Sequence, residues 1–238
     1  MNKTFTTDIY ENILVAATSR YEFITPGDEF NKGNVIWRHD IDFSPQRALA
    51  LAKIEATHGV SCSYFFQVTS LFYNVLEPEV EKIIKEIVLL GHSIGIHYEQ
   101  RPEDNRNRLI AEARILSELT ETDIRMFSLH NPTTFKSTEF NADTAFGMIN
   151  ASSIVDKKGV EYCSDSNGLW RFKTLWDVIN EPVKQRLYVL THPEWWQSIN
   201  MLPRDRIQRC IDGRAVACGE YYDKLLSDNG RPNLGKNI

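Results

Sequence analysis

The apolar positions of this chain fall into short continuous runs separated by longer stretches at helical spacing. Val35–Asp42 is an apolar run that ends in charge, and it predicts a buried strand. Ser44 and Pro45 follow as N-cap and first helical residue. Leu49, Ala52 and Ala56 then recur at helical spacing up to His58-Gly59, with Gly59 the expected left-handed stop. Ser61–Val68 predicts a second strand centred on Tyr64-Phe65-Phe66. Glu77-Pro78 opens a helix with the stripe Val80, Ile83, Ile84, Ile87 and Leu90, closed by Gly91. His92–Tyr98 reads as strand three. Asp104–Glu121 reads as an amphipathic helix with Leu109, Ala113, Leu116 and Leu119 inward, and Ile124–His130 as strand four. Leu187–His192 predicts the last strand, and Pro203 opens a C-terminal helix with Ile207, Ile211, Tyr222 and Leu225 on its stripes, weakened by Gly213 and Gly219.

Outside this alternation the signals are weaker. Ile9 to Ala17 is apolar at helical spacing, and Pro26-Gly27-Asp28 and Lys32-Gly33-Asn34 punctuate turns, so residues 1–33 read as a lead-in helix and loop. Residues 133–185 show only short apolar runs and read as irregular. The tail after Ser227 is polar and loose. Strands alternating with helices predict a mainly parallel sheet in one α/β domain over residues 1–238. Periodicity does not separate a closed barrel from an open sheet.

Composition narrows the function classes. With 42% hydrophobic and 25% charged residues the chain is of ordinary globular type, and its net charge of −5 provides no broad basic surface for nucleic acid. Cys62, Cys163, Cys210 and Cys218 form no Cys-x-x-Cys pair, which argues against a zinc ribbon, a redox motif or a disulfide framework. Cys62 and Cys163 lie in strand-like runs and read as small buried hydrophobes. The N-terminus shows no long apolar segment of a signal peptide, and no apolar run approaches the ~20 residues of a membrane span. The expected location is the cytoplasm.

The chemistry gathers at strand ends. In an extended strand Arg38, Asp40 and Asp42 share one face, and His39 and Ile41 take the other. Two carboxylates and a guanidinium together are costly unless they pair or hold a metal. Asp40/Asp42, His97/Glu99, His130 and His192/Glu194 each fall at the C-terminal end of a predicted strand. In parallel α/β architectures those ends converge on one face, where sites are built. One strand-end histidine is ordinarily structural. Three histidines and two aspartates on one rim point to metal and acid–base chemistry.

These residues carry a family resemblance. Arg38–Asp42, Gly91-His92-Ser93-Ile94-Gly95-Ile96-His97-Tyr98-Glu99, Phe127-Ser128-Leu129-His130-Asn131-Pro132, Ser164–Arg171 and Leu190-Thr191-His192-Pro193 appear in order along nearly the whole chain. The set resembles the polysaccharide deacetylase (NodB-homology) superfamily, in the branch whose first motif reads Arg-His-Asp-x-Asp. The resemblance implies a distorted (β/α) barrel of seven strands. It implies metal-dependent hydrolysis of an N-acetyl, sometimes formyl or O-acyl, group from a sugar. By motif position Asp40 matches the general base and Asp42 a metal ligand. Ile41 separates the two where the family has adjacent aspartates, so the two roles could be exchanged. His97 matches the first of two ligand histidines. The second falls on Arg101, which cannot ligate. His130 is the candidate replacement and Glu99 the second choice.

His192 matches the general acid. Asp165 and Arg171 resemble the residues that orient the acid–base pair, and Arg38 is a partner for either carboxylate. The implied cofactor is a divalent metal, zinc first, and the implied partner is a carbohydrate or glycan-precursor substrate, with no nucleic acid and no membrane span. Tyr98, Trp195 and Trp196 are candidates for an apolar wall against a sugar face, with ordinary packing as the equal alternative. His39 and His92 read as structural, and His58 as a helix-end residue. Arg204, Arg206 and Arg209 read as a solvated helix face, the alternative being contact with a phosphate on a carrier-linked sugar. Two further functions stay open: a non-sugar C–N amide hydrolase on the same barrel, and a non-catalytic carbohydrate-binding relative.

Overall fold

A computed structural model describes residues 5–101, 106–131, 140, 142–182 and 186–235. Its strands are β1 (Glu22–Ile24), β2 (Asn34–Ile41), β3 (Ser63–Phe66), β4 (Ser93–Glu99), β5 (Met126–His130), β6 (Thr144–Ala145), β7 (Met148–Asn150), β8 (Val160–Ser164) and β9 (Arg186–Thr191). Its helices are α1 (Thr7–Thr18), α2 (Pro45–Thr57), α3 (Pro78–Leu89), α4 (Arg106–Thr120), α5 (Leu175–Asn180) and α6 (Pro203–Asp228). The predicted start of α4 at Asp104, and Pro132 of the third motif, lie outside the described residues.

Seven strands pair in parallel in the order β7-β5-β4-β3-β2-β9-β8. This is the seven-stranded β/α arrangement the resemblance implied. Two short strands are added to it, β1 in parallel on β2 and β6 antiparallel on β7. Between the outer strands β7 and β8 lies the 3-10 turn Ala151–Asp156. Its Ser152 Oγ accepts from the Leu129 N–H at 2.9 Å and from Arg38 Nη1 at 3.3 Å, and the Tyr188 hydroxyl donates to the Ala151 carbonyl at 2.8 Å. The curved sheet is thus held together across its gap by side chains rather than by a strand ladder, which is what makes the barrel distorted.

β2 is buried along its whole length because both its faces are covered. The outward face, with Trp37, His39 and Ile41, packs under the helices together with Tyr64 and Phe66 of β3. The inward face carries Arg38 and Asp40. Gly95 of β4 makes room there: a Cβ at this position would sit 2.6 Å from Phe65 Cδ1 and 3.0 Å from the Met126 carbonyl. Arg38 lies over the Phe65 ring, 5.4 Å from its centroid. Ser44 caps α2 through the Arg47 N–H at 3.3 Å, and the stops at Gly59 and Gly91 adopt φ of +67° and +91°.

Two stretches depart from the sequence reading. Residues 133–185, read as irregular, contain β6, β7, β8 and α5 among their described residues. Each is two to six residues long, too short to show a period. α6 runs unbroken through Gly213 and Gly219 for 26 residues, about 39 Å at 1.5 Å per residue. Only its first half meets the rest of the molecule through apolar contact: Ile207 packs on the core, whereas Tyr222 and Leu225 are 56% and 44% exposed. The predicted stripe there is an outer face. Among the described residues no helix is long and apolar enough to cross a membrane.

Candidate active site

The ends of β2, β4 and β5 build the first part of the site. Asp42 Oδ1 lies 3.2 Å from His97 Nε2 and 3.2 Å from His130 Nδ1, and the two imidazole nitrogens are 3.1 Å apart. In a flat sheet β2 and β5, three places apart, would be about 14 Å from each other. The curvature of the barrel closes that distance. Three donor atoms in a triangle of 3.1–3.2 Å sides fit one small cation. Tetrahedral zinc with bonds of ~2.0 Å needs ligand atoms about 3.3 Å apart. The outer nitrogen of His97 is already fixed: Nδ1 bonds Ser128 Oγ at 2.8 Å, which turns Nε2 to the triangle. Burial would raise the Asp42 carboxyl, but hydrogen bonds from His130 and His97 hold it well below its ordinary range. Its bond to Asp42 raises His130.

Asp40 sits deeper on the same face. Arg38 clamps it in a bidentate pair, Nε to Oδ1 at 2.7 Å and Nη2 to Oδ2 at 2.5 Å, and Ser128 Oγ donates to Oδ1 at 3.1 Å. Burial acts to raise its carboxyl, and Arg38 with His97 outweighs burial, so Asp40 stays ionised. His97 Nδ1 is 3.5 Å from Asp40 Oδ2. Arg38 also bonds the Tyr188 hydroxyl at 3.1 Å, so its fork is fixed on three sides inside the barrel.

His192, just past β9, lies close enough to Asp40 and Asp42 for its charge to lower both carboxyls. Its Nδ1 meets Asp165 Oδ1 at 2.7 Å, and its backbone N–H donates to both carboxylate oxygens at 3.0 and 3.2 Å. Trp196 Nε1 donates to Oδ2 of the same carboxylate at 2.8 Å. Burial would lower the His192 ring, but the Asp165 bond and charge push it up to about 10. It is therefore protonated at neutral pH. Beside it lies Glu194, fully buried, with neither carboxylate oxygen hydrogen-bonded to another residue among the described residues. Burial and the neighbouring Asp42 push its carboxyl well above the ordinary range.

The structure thus brings Arg38, Asp40, Asp42, His97, His130, Asp165 and His192 together. Other expected residues lie elsewhere. Tyr98 is not a wall of the site: it follows His97 on the strand and therefore points outward, stacked on Phe140 at 5.3 Å with the Arg108 guanidinium over its ring. Arg171 does not orient the acid–base pair. It is exposed and makes no hydrogen bond or ion pair among the described residues, and Arg38 occupies the place beside Asp40. Glu99 stands at the rim, 3.3 Å from Arg101, outside the Asp42–His97–His130 group. Trp196 is core, packed on Phe5 and Tyr10, and serves the site only through Asp165. Trp195 is also buried and reaches Phe43 at 6.5 Å. Arg206 is not solvated: it is buried over the Phe5 ring.

His39 and His92 take structural places. Glu55 of α2 accepts from the Tyr10 and Tyr64 hydroxyls and from His39 Nε2, and His39 Nδ1 bonds Thr191 Oγ1 at 2.7 Å. His92 bridges the Cys62 N–H and the Ala52 carbonyl. Glu55, His39 and Cys62 are close enough to suggest a second metal group. Glu55 is already saturated with protein donors and wholly buried, so that cluster does not fit a cation. Ser128 and Glu194 went unassigned by sequence reasoning. Ser128 could have been found by its place two residues before His130, on the same strand face.

No protein-family model and no curated protein matches the chain. Among solved structures the chain is similar to a CE4-family pseudoenzyme from Bacillus anthracis, at 15% identity over 83% of this chain and 66% of that one, with a TM-score of 0.47. Its structural neighbours are CE4 carbohydrate esterases and polysaccharide deacetylases. They include a family 4 acetyl xylan esterase from Clostridium thermocellum in complex with a cobalt ion, at 16% identity over 83% and 92% of the chains and a TM-score of 0.45. A polysaccharide deacetylase from Bacillus cereus is similar at 11% identity over 76% and 88%, with a TM-score of 0.47. The chain spans just under two-thirds of the length of the Bacillus anthracis protein.

Proposed function

We propose that the chain is a divalent-metal-dependent hydrolase that removes an acyl group, N-acetyl or similar, from an amino sugar of a polysaccharide or glycan precursor. The observation that carries this reading is the Asp42–His97–His130 triangle. Near it stand an ionised buried carboxylate, Asp40, and a protonated imidazole, His192.

A zinc-class cation would be held by Asp42, His97 and His130, and when bound it supplies polarisation of the acyl carbonyl and acidification of water. The chain's own groups then divide the proton work. Asp40, kept ionised by Arg38, takes the proton of the attacking water. Ser128 ties Asp40 to His97, so base and ligand keep one geometry. His192, with Nδ1 bound to Asp165, presents its Nε2 proton to the leaving amine nitrogen. The products are a carboxylate and an ammonium group: one proton of the water, taken by Asp40, makes good the one given by His192, and the other leaves with the amine.

One structural neighbour is a pseudoenzyme, so turnover and metal are measured separately. Elemental mass spectrometry of the wild type should find near one equivalent of divalent metal, lost in His130→Ala. Amine release from N-acetyl amino sugars should fall by about 10² or more in Asp40→Asn while the metal stays bound. Full activity in Asp40→Asn removes the base assignment, and a metal-free wild type after zinc soaking removes the reading itself.

A further inference from the structure

We propose that the cleft beneath α6 binds an anionic phosphate or diphosphate group on the substrate, so that the amino sugar is presented on a phosphorylated carrier. This rests on the hydrolase reading for its place in catalysis and stands independently as a binding site. The cleft has a volume of about 610 Å³ and lies between the start of α2, the β3–α3 loop and α6. It adjoins the candidate active site. Phe43, which lines it, follows Asp42 directly, and its ring lies 4.3 Å from Phe72 and 6.5 Å from Trp195. Tyr73, another lining residue, donates its hydroxyl to the Ile41 carbonyl at 2.6 Å. Arg47 is five residues beyond Asp42, which places the two backbones no more than about 18 Å apart.

The charges in this cleft are unbalanced in one place. Arg214 is neutralised by Glu77, which accepts from its Nη1 at 2.6 and 2.7 Å. Arg47 and Arg209 have no such partner. The half-buried Arg47 guanidinium makes no hydrogen bond or ion pair among the described residues. Among the described residues the exposed Arg209 reaches only the neutral Gln197 Oε1 at 3.3 Å and Met201 Sδ at 3.9 Å. Burial and the neighbouring Arg209 both make the Arg47 proton easier to lose. Both line the one cleft, Arg47 half-buried and Arg209 exposed, and the planar fork of arginine suits phosphate oxygens. The acidic Glu79 and Glu220 also line the cleft. The apolar faces of Phe43 and Phe72 would lie against the sugar or the first part of its carrier.

The binding test uses inorganic pyrophosphate and the full chain treated with EDTA, so that binding at the metal triangle plays no part. Isothermal titration should detect pyrophosphate binding in the wild type and in His97→Ala. Affinity should fall about tenfold or more in each of Arg47→Gln and Arg209→Gln. Neither arginine supports the fold through a carboxylate, so both variants are expected to keep the wild-type melting temperature. Absence of binding in the wild type, or equal binding in both arginine variants, overturns the proposal. Displacement of pyrophosphate by UDP identifies a nucleotide carrier, displacement by farnesyl diphosphate a lipid carrier, and displacement by neither overturns it. With active enzyme, Arg47→Gln should raise KM about tenfold for an N-acetyl amino sugar 1-phosphate and leave the free sugar unchanged. Failure of all amine release would refute the hydrolase reading while leaving the pyrophosphate result intact.

Discussion

Replacing Asp165 by Asn removes one charge and keeps the shape, and it isolates what holds the proton on His192. All the polar groups facing Asp165 are donors: the His192 backbone N–H, the ring Nδ1–H and Trp196 Nε1–H. An asparagine there must turn its NH₂ toward one of them, so at least one bond is lost as well as the charge. The rise of His192 from 6.5 to about 10 corresponds to roughly 5 kcal/mol at 1.36 kcal/mol per unit. That is a ceiling, because Asp42 and Glu194 also act on the ring. The expected loss of unfolding free energy in Asp165→Asn at pH 7 is about 2–4 kcal/mol. The sign with pH is fixed by linkage. Because the folded value is raised, the stabilisation is complete below pH 6.5, where the unfolded ring is also protonated. It is lost as pH rises through about 10. The gap between wild type and variant should therefore narrow from pH 7 to pH 10. Urea unfolding of EDTA-treated protein at several pH values measures it. NMR titration of the ring Cε1–H, assigned with His192→Asn, reads the proton directly. In the variant only Asp42 and Glu194 oppose burial, and the ring should titrate lower than in the wild type. A variant ring still charged at pH 9, or a stability gap that widens with pH, refutes the account.

Three further outcomes follow from the interior. Gly95→Ala should cost about 1–3 kcal/mol in unfolding free energy by chemical denaturation, because its Cβ would overlap the Phe65 ring beneath Arg38. An unchanged midpoint would mean the barrel is looser than the structure shows. Arg38→Gln should move the acidic limb of the activity profile upward, since burial then raises the Asp40 carboxyl without the guanidinium to oppose it; an unmoved limb would exclude Asp40 as the base. Glu55→Ala should cost about 3–5 kcal/mol in thermal unfolding, because Tyr10, Tyr64 and His39 lose their common acceptor in a water-free layer.

The sequence made β2 to β5 and β9 legible as apolar runs, and β2 to β4 most sharply because a capped helix or a glycine stop bounds each of them. Ser44-Pro45, Gly59 and Gly91 do in the structure what their chemistry predicts. The division of β2 into an inward Arg38/Asp40 face and an outward His39 face was legible for the same reason, a period of two. Tyr98 followed from that same alternation once His97 was placed inward, yet its aromatic character suggested a sugar wall instead. Arg171 was misplaced by motif order alone, which says nothing of which way a loop turns. The proximity of His130 to Asp42 was expected only from strand-end convergence. Its 3.2 Å distance depends on the curvature of the whole sheet, which has no signature in either strand. Glu194 was visible as a strand-end acid, but its burial without a partner depends on packing between β9 and α6.

The two buried networks on the faces of β2 serve one end. On the inner face Arg38, Asp40, Ser128 and His97 form a continuous set of bonds, so base and first histidine cannot move independently. On the outer face His39 is bonded to Glu55 of α2 and to Thr191 of β9. Thr191 immediately precedes His192. A shift of β9 against β2 by one residue would therefore break the His39–Thr191 bond and turn His192 away from the rim at the same time. The ladder alone leaves such a slip to the hydrophobic pattern. The His39 ring adds a directional bond at the position where register decides the distance between acid and base. This explains why a histidine, and not an aliphatic residue, stands between Arg38 and Asp40 in a layer built mainly from aromatic and aliphatic side chains. His39→Leu should then fill the volume but free the register. The expected result is a folded protein whose His192 ring shows exchange-broadened resonances and whose kcat falls more than its KM rises, whereas a variant with sharp resonances and unchanged kcat would reduce His39 to packing alone.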